Sequence, residues 1–199
     1  MAKTNRKNLK TRWQGLVQTF HTSPKSQNIH EPNPPKAYLK LNQPHQELAP
    51  HFIAQATRSA QRLLGVKPYS NKDGSASGKA TYVLKWAKGT QLVDLAEAPY
   101  EKKAKAVRAS AVALAEHLRI GISQGDVRAH NLVSTRRRVK LLDYGDAELL
   151  HGRSHFSTFK KDYADFVSSV IPTIASDPKE ALRLKKLFEA EYKRQVASL

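Results

Sequence analysis

The chain has 199 residues, 40% of them hydrophobic, which is enough to bury the core of one domain or of two small lobes. Its formal net charge of +17 attracts anions such as nucleotides, nucleic acids, phosphorylated glycolipids or an anionic membrane surface. The absence of cysteine excludes disulfides, thiolate zinc sites and cysteine nucleophiles. No apolar run reaches the length of a membrane span and no secretory signal pattern follows Met1, so we expect a cytoplasmic protein.

Residues 1–36 are predicted to be a basic segment followed by a linker. Cationic residues recur from Lys3 to Arg12, and no acidic residue precedes Glu31. Apolar residues at helical spacing form a stripe along the same stretch: Leu9, Trp13, Leu16, Val17 and Phe20. This basic helix has two interpretations, which are peripheral contact with the inner face of a membrane and packing on a neighbouring lobe. The following stretch, rich in Ser, Asn and Pro, is typical of a linker.

Residues 37–85 are predicted to be a small unit that contains β-strands. The pattern favours a strand over 37–41, a helix over 51–64 and a strand over 80–84 that follows a flexible turn at 72–78. The buried face of the helix is predicted from its spacing: Phe52, Ala56, Ala60 and Leu63.

Residues 86–199 are predicted to be mostly helical, which makes the chain an α+β protein. The clearest helix covers 102–120 and has one apolar face: Ala106, Val107, Ala111, Leu114 and Leu118. Two short strands, at 131–133 and 139–142, flank a basic turn that contains Arg136, Arg137 and Arg138. Helices are predicted again over 163–174 and 178–196.

Two aspartates and an asparagine in the second unit lie in an arrangement that suits phosphoryl transfer. Asp126 follows a glycine in the loop after the long helix, Asn131 comes five residues later, and Asp143 ends an apolar strand just before Tyr-Gly. The transition state of phosphoryl transfer spreads negative charge over phosphate oxygens, so metal ions must be held nearby by hard oxygen ligands. A separate carboxylate must orient the acceptor hydroxyl.

These residues resemble the catalytic segments of the protein-kinase-like superfamily. The catalytic loop of that family has an aspartate, four residues and an asparagine, and its metal-binding element is Asp-(Phe or Tyr)-Gly. The Gly-Asp-Val sequence here is most similar to small atypical members: RIO kinases, aminoglycoside phosphotransferases and lipopolysaccharide-sugar kinases. The resemblance covers 81–171 and implies a two-lobed fold, with a reduced β-containing N-lobe over 37–85 and a mostly helical C-lobe over 86–199.

The resemblance implies a role for each matching residue of the C-lobe. Asp126 would orient the acceptor hydroxyl, and Arg128 would steady the transferred phosphoryl group. Asn131 and Asp143 would hold Mg²⁺ and, through it, ATP. Asp162 stands where the family has the aspartate that opens the next large helix and braces the catalytic loop.

The nucleotide-binding residues of the N-lobe and hinge match the family less closely. Lys40 is the candidate for the lysine that grips the nucleotide phosphates, although a lysine on a solvated strand face would look the same. Leu84 and Trp86 lie in the segment that resembles the hinge receiving adenine.

Three features depart from the family pattern. Gln124 replaces the usual histidine of the catalytic loop, but glutamine can also donate and accept hydrogen bonds. Gly15 is the only glycine before Gly65, so no glycine-rich loop covers the phosphates. The predicted helix over 51–64 contains no glutamate to pair with Lys40.

Three functions are consistent with these observations. The first is an ATP- and Mg²⁺-dependent kinase that acts on a hydroxyl of a protein Ser or Thr, or of an anionic glycolipid such as lipopolysaccharide core. The second is a pseudokinase that keeps the fold as an interaction module. The third is a nucleic-acid binder, including an RNA-associated RIO-like kinase, which the charge suggests but no nucleic-acid motif supports. The retention of Asp126, Asn131 and Asp143 together favours the kinase, because clustered carboxylates repel each other without a metal.

Overall fold

A computed structural model of the chain describes residues 37–44, 48–71, 76–85, 87–150 and 161–198. The predicted amphipathic helix, the linker after it and Trp86 lie outside these described residues. The described part combines β-sheet and helix, so the fold belongs to the mixed α and β class that the sequence predicts. No helix in these ranges is long and apolar enough to cross a membrane.

A three-stranded antiparallel sheet forms the first unit. Its strands are β1 (Ala37–Pro44), β2 (Leu63–Ser70) and β3 (Ala76–Lys85), with β3 in the centre. Lys40 of β1 pairs with Tyr82 of β3. Side chains alternate between the two faces of a strand, and the alternate residues of β3 form a small buried cluster: Ala80, Tyr82 and Leu84. The predicted strands over 37–41 and 80–84 are therefore confirmed, and both extend further than expected.

The predicted helix over 51–64 is wrong in its length. Helix α1 covers only Leu48–Ala54, and the chain then turns into strand β2. The Gln55 side chain explains the end of the helix, because its amide oxygen accepts a hydrogen bond from the Leu63 backbone N–H at 3.0 Å. The predicted buried face is also wrong at Phe52, whose side chain is 68% exposed, and at Ala56, which is exposed too.

Two long helices form the centre of the second unit. Helix α2 covers Tyr100–Arg119 and helix α4 covers Pro178–Val196, which confirms the predictions over 102–120 and 178–196. Asp177 caps α4 by accepting a hydrogen bond from the Glu180 N–H at 2.8 Å. Both helices contribute to the main core: Ala106, Val107, Ala111, Leu114, Leu184, Phe188 and Tyr192.

Helix α3, over 161–174, differs from the predicted helix by an irregular turn. Its central turn, Phe166–Val170, is a π-helix. Pro172 lies two residues after this turn and has no N–H for the carbonyl one turn before it, which accounts for the wider turn. Phe166 is fully buried and stacks on Phe188 of α4 at 4.1 Å between ring centroids, so α3 stays packed on the core.

Short strands connect these helices. Strand β4 (Thr90–Gln91) pairs with β6 (Leu132–Ser134), which pairs with β7 (Val139–Leu141). Strand β5 (Ile122–Ser123) pairs with β8 (Glu148–Leu149). The predicted strands over 131–133 and 139–142 are thus confirmed within one residue at each end. A single 3₁₀ turn, Leu92–Leu95, precedes α2.

The segment between α1 and β2 joins the sheet unit to β7. Ala60 forms a parallel bridge with Leu141. The Gln61 N–H donates to the Leu141 carbonyl at 3.1 Å, and the Leu141 N–H donates to the Ser59 carbonyl at 2.8 Å. The first unit is therefore hydrogen-bonded to the strand that leads into Asp143.

Candidate functional site

The loop after α2 owes its shape to Gly125. This glycine has a φ of +81°, a conformation that other residues rarely adopt. A Cβ atom at this position would lie 1.9 Å from the Asp146 carbonyl oxygen, so no side chain fits there. The glycine lets the loop carrying Asp126 pass directly against the segment that follows Asp143.

The Asp162 carboxylate binds the start of the same loop. It is buried, and its carboxylate accepts hydrogen bonds from the Ser123 hydroxyl at 2.9 Å and from the N–H groups of Gln124 and Gly125 at 2.9 and 3.1 Å. Burial raises the pKa of Asp162, while the three hydrogen bonds oppose that shift. Asp162 therefore holds residues 123–125 in place at the start of the loop.

The Gln124 side chain ties the loop to the strand that carries Asp143. Its amide nitrogen donates to the carbonyl oxygens of Leu142 at 2.9 Å and of Asp143 at 2.7 Å. Its amide oxygen accepts from the Asp126 N–H at 2.9 Å. Gln124 is fully buried and uses both ends of its amide, so it links the loop to the strand.

Asp126, Arg128 and Asn131 form a hydrogen-bonded cluster. The Asn131 amide nitrogen donates to the Asp126 carboxylate at 2.8 Å and to the Asp126 carbonyl at 3.0 Å. The Arg128 Nε lies 2.7 Å from the other carboxylate oxygen, and the Arg128 side chain is 62% exposed. Since each carboxylate oxygen has a second lone pair, Asp126 can still accept a proton or a hydrogen bond.

Asp143 has an unusual backbone conformation. Its φ of +49° makes it the one non-glycine residue with positive φ in the described ranges. One carboxylate oxygen accepts from the Gly145 N–H at 3.2 Å, and the residue is exposed. Backbone conformations of this kind cost of order 1–3 kcal/mol and persist where the surroundings enforce them, often at functional sites.

Tyr144, the residue after Asp143, is anchored in the interior. It is 2% exposed, and its hydroxyl lies 2.7 Å from His117 Nε2 of α2. His117 Nδ1 lies 2.9 Å from the Ala113 carbonyl, which can only accept, so Nδ1 carries the proton and Nε2 accepts from Tyr144. On its other side Tyr144 stacks on His51 of α1, with ring centroids 4.4 Å apart.

Sequence reasoning missed the trio of His51, Tyr144 and His117, here called the polar stack. Burial lowers the pKa of His117 to about 4, so this imidazole is neutral in the fold. A sequence signal existed for one member, because His117 lies between Leu114 and Leu118 on the buried face of α2. The other two members, His51 and Tyr144, are distant from His117 in sequence, and neither lies in a pattern that predicts this contact.

The predicted nucleotide-binding residues of the first unit are only partly described. The backbone of Lys40 lies in β1, but its side chain and the whole of Trp86 lie outside the described part, so their roles stay predictions. Leu84 is buried in the cluster of β3. Ala87, within the segment expected to resemble the hinge, packs with Val133 and Leu142 in a small buried cluster next to Asp143 in sequence.

The residues around Asp143 suit a magnesium ion. Asn131 is only 6% exposed, and among the described residues its amide oxygen accepts no hydrogen bond, so a buried hard oxygen is left over. Asp143 adds a carboxylate. Mg²⁺ commonly takes one or two such protein oxygens and completes its octahedron with phosphates and water. Within the described ranges no cluster of three or more metal-binding His, Cys, Asp or Glu side chains is found.

Comparison of the sequence with models of protein families and with curated protein sequences finds no match.

Proposed function

We propose that the chain is a phosphotransferase that uses ATP and Mg²⁺ to phosphorylate a hydroxyl group. In this proposal β1–β3 and α1 form a reduced N-lobe, and residues 86–199 form the C-lobe of a two-lobed kinase-like fold. The observation that carries it is the link through Gln124, which joins the loop of Asp126 and Asn131 to the carbonyl of Asp143. The link supports the proposal because it holds Asp126, Asn131 and Asp143, whose side chains suit phosphoryl transfer, near one another.

Asn131 and Asp143 are the residues that would hold Mg²⁺, through an amide oxygen and a carboxylate. When bound, the ion would neutralise negative charge that develops on the phosphate oxygens. The Asn131 amide nitrogen is committed to Asp126, so its oxygen is turned away from that carboxylate. The positive φ of Asp143 fixes its side chain relative to the following Gly145 N–H.

Asp126 would act on the acceptor. The acceptor oxygen forms a bond to the γ-phosphorus, and the bond from that phosphorus to the bridging oxygen of ADP breaks, with ADP keeping the electron pair. The hydroxyl proton passes to the Asp126 carboxylate and then to solvent. Arg128 is paired with Asp126 but largely exposed, and such ion pairs contribute about 0–1 kcal/mol, so the guanidinium can turn toward the migrating phosphoryl group at little cost.

The chemical class of the acceptor is inferred from the net charge of the chain. A net charge of +17 favours an anionic acceptor, either a protein Ser or Thr in acidic surroundings or a sugar of a phosphorylated glycolipid. A glycolipid acceptor would agree with peripheral contact between the basic N-terminus and the inner face of a membrane.

The test is calorimetric titration of ATP with and without Mg²⁺. We expect Mg²⁺-dependent binding to wild type and its loss in Asp143→Asn, because that change removes the carboxylate ligand. The matched control is Asp146→Asn, the same charge change at an exposed residue three positions away, which should bind normally. Equal binding by wild type and Asp143→Asn would refute the site.

Asp126→Asn separates binding from transfer. Because Asp126 faces the acceptor in this mechanism, the variant should bind ATP within about threefold of wild type, while hydrolysis or transfer falls by a factor on the order of 10²–10⁴. ATP binding lost together with transfer would assign Asp126 to the nucleotide instead.

A pseudokinase is the second candidate. It is favoured by the ion pair that Arg128 makes with Asp126 and by the lack of an acidic residue in the first turn of α1. Under this alternative ATP would bind, but Asp126→Asn would leave the slow background turnover unchanged.

A further inference from the structure

A dense group of cationic side chains lies where the segment between α1 and β2 meets β7. We call this group the basic face. Its members come from three separate stretches of the chain: Arg58, Arg62, Lys85, Arg136, Arg137 and Arg138. All are exposed except Arg138, which is partly exposed. None of the salt bridges within the described ranges involves any of them.

Hydrogen bonds join these stretches into one surface. Arg138 Nη1 and Lys140 Nζ both donate to the Arg58 carbonyl, at 3.3 and 2.5 Å. The Lys85 N–H donates to the Arg62 carbonyl at 2.8 Å. The three stretches are therefore held together by hydrogen bonds within the chain, one between backbone groups and two from side chains to a backbone carbonyl.

The pKa of Lys140 reflects how close the cationic side chains of the basic face lie to it. Burial lowers its pKa first, and then Arg138 and Lys85 lower it further, while Glu116 alone raises it. Glu116 also accepts a hydrogen bond from the Ser59 hydroxyl at 2.6 Å. One partly buried carboxylate behind six cations leaves a strong positive potential at this surface.

The turn between β6 and β7 is a rigid projection of this face. The Thr135 hydroxyl donates to the Arg138 carbonyl at 2.8 Å and accepts from the Arg138 N–H at 3.2 Å. These bonds close the turn and leave the side chains of Arg136 and Arg137 in solvent. Guanidinium groups presented in this way suit the paired oxygens of phosphates.

The composition of the basic face favours one kind of anionic partner. Five of its six cations are arginines, whose planar guanidinium groups pair with phosphate oxygens. The hydrogen bonds between the three stretches fix their backbones relative to one another, so the cations form a preformed array. A repeating row of phosphates on a stiff duplex presents a matching array of negative charges.

We propose that the basic face binds the phosphate backbone of a nucleic-acid duplex without reading its sequence. This function is separate from the proposed phosphoryl transfer and does not require it. Each phosphate neutralised by a cation releases condensed counterions, so binding should weaken steeply as salt is added. Contacts limited to the backbone should give similar affinity for duplexes of unrelated sequence.

The test uses the full chain and fluorescence anisotropy with two labelled DNA duplexes of unrelated sequence and one RNA duplex, over a range of salt. The key variant is Arg136→Glu with Arg137→Glu. We expect at least a tenfold loss of affinity at low salt and a slope of log K against log salt that is shallower by roughly two, because about 0.9 is expected for each lost phosphate contact. Circular dichroism should be unchanged, since both side chains are exposed.

The control is Lys102→Glu with Lys105→Glu, the same charge change at exposed positions of α2. These residues lie about 17–21 Å along the helix from Glu116, at 1.5 Å per residue, so the affinity loss of this double variant should be less than threefold. Equal losses in both double variants would overturn the proposal in favour of net charge alone. Binding to vesicles containing phosphatidylserine without binding to any duplex would overturn it in favour of a membrane interface.

The variants of the phosphotransferase site separate the two proposals. Asp143→Asn and Asp126→Asn should bind duplex as wild type does. Loss of ATP binding with duplex binding intact would leave the basic face standing, and the reverse result would leave the phosphotransferase site standing.

Discussion

The Tyr144 hydroxyl joins the residue after Asp143 to the interior of α2 through His117. Tyr144→Phe removes this donor and leaves His117 Nε2 buried without its hydrogen bond. We expect a loss of about 1–3 kcal/mol in the free energy of unfolding. Tyr100→Phe is the control, because Tyr100 is only partly buried and its change should cost less than about 0.5 kcal/mol. Urea denaturation measures both, and equal stabilities would show that the hydroxyl contributes nothing.

His117 gives the fold a specific dependence on pH. Its pKa is about 4 in the fold against an ordinary value of 6.5, so the unfolded chain binds this proton first as pH falls. The contribution of the neutral imidazole is complete above pH 6.5 and declines as pH falls toward 4, by roughly 3 kcal/mol in all. His117→Gln should remove this part of the decline. The measurement is the free energy of unfolding of both proteins between pH 7 and 4.5. Values that decline in parallel would contradict this role of His117.

Gly125 permits a backbone approach that no other residue can make. Gly125→Ala would set a methyl group against the Asp146 carbonyl, in a backbone conformation unfavourable for alanine. We expect a loss of more than about 2 kcal/mol in stability, together with weaker ATP binding, since the loop must shift. Gly121→Ala is the control: its φ is also positive, at +73°, but its nearest neighbour lies 3.9 Å away. Thermal unfolding should show a clearly larger effect at Gly125.

At the scale of elements, α2 and α4 are joined by a buried ion pair. Lys103 is 1% exposed and donates to Glu180 at 3.0 Å and to the Ser176 hydroxyl at 2.7 Å. Glu180→Gln would leave the lysine charge buried without its partner, which should cost roughly 3 kcal/mol at neutral pH. The Ser176 N–H and then Lys103 hold the pKa of Glu180 below its usual 4.5.

The sign of this pH effect follows from the lowered pKa. Wild type should keep its full advantage over Glu180→Gln above pH 4.5 and lose it as pH falls through the folded pKa of Glu180. Urea denaturation at pH 7 and pH 3 measures the difference in the free energy of unfolding between wild type and Glu180→Gln. A difference that is not smaller at pH 3 would mean that the carboxylate charge is not what stabilises this pair.

The elements differ in how far the sequence could predict them. The helices over 102–120 and 178–196 carry their own apolar periodicity, so local pattern was sufficient. The end of α1 depends on Gln55 bonding to Leu63, and local pattern could not reveal that contact. The spacing of Asp126, Asn131 and Asp143 predicted a common site. The polar stack could not be predicted, because it joins rings from three distant segments.

At the scale of the whole molecule, the described buried side chains fall into separate clusters. The main core joins α2, α3 and α4, and described side chains of β3 form a smaller cluster of their own: Ala80, Tyr82 and Leu84. Hydrogen bonds of Ser59 and Gln61 with Leu141 join the sheet unit to β7. We therefore expect amide hydrogens of the sheet to exchange faster than those of α2 and α4, through partial opening.

Ligand binding should raise the stability of the chain and slow hydrogen exchange in the sheet. If ATP and Mg²⁺ bind the folded chain, a concentration of about 100 times Kd should add roughly 2.7 kcal/mol to the free energy of unfolding. Hydrogen exchange should slow most in β1 and β3, and Asp143→Asn should show neither effect. Slower exchange confined to α2 and α4 would place the ligand away from the proposed site.

The Gln124 side chain also has a thermodynamic consequence. Its single amide contacts both the Asp126 N–H and the Asp143 carbonyl, so neither backbone can shift without changing the other. Two molecules bound on either side of this amide would share a coupling free energy. If nucleotide and acceptor bind as proposed, linkage requires that the factor by which nucleotide changes the acceptor affinity equals the factor by which acceptor changes the nucleotide affinity. One buried glutamine would thus couple the two binding events.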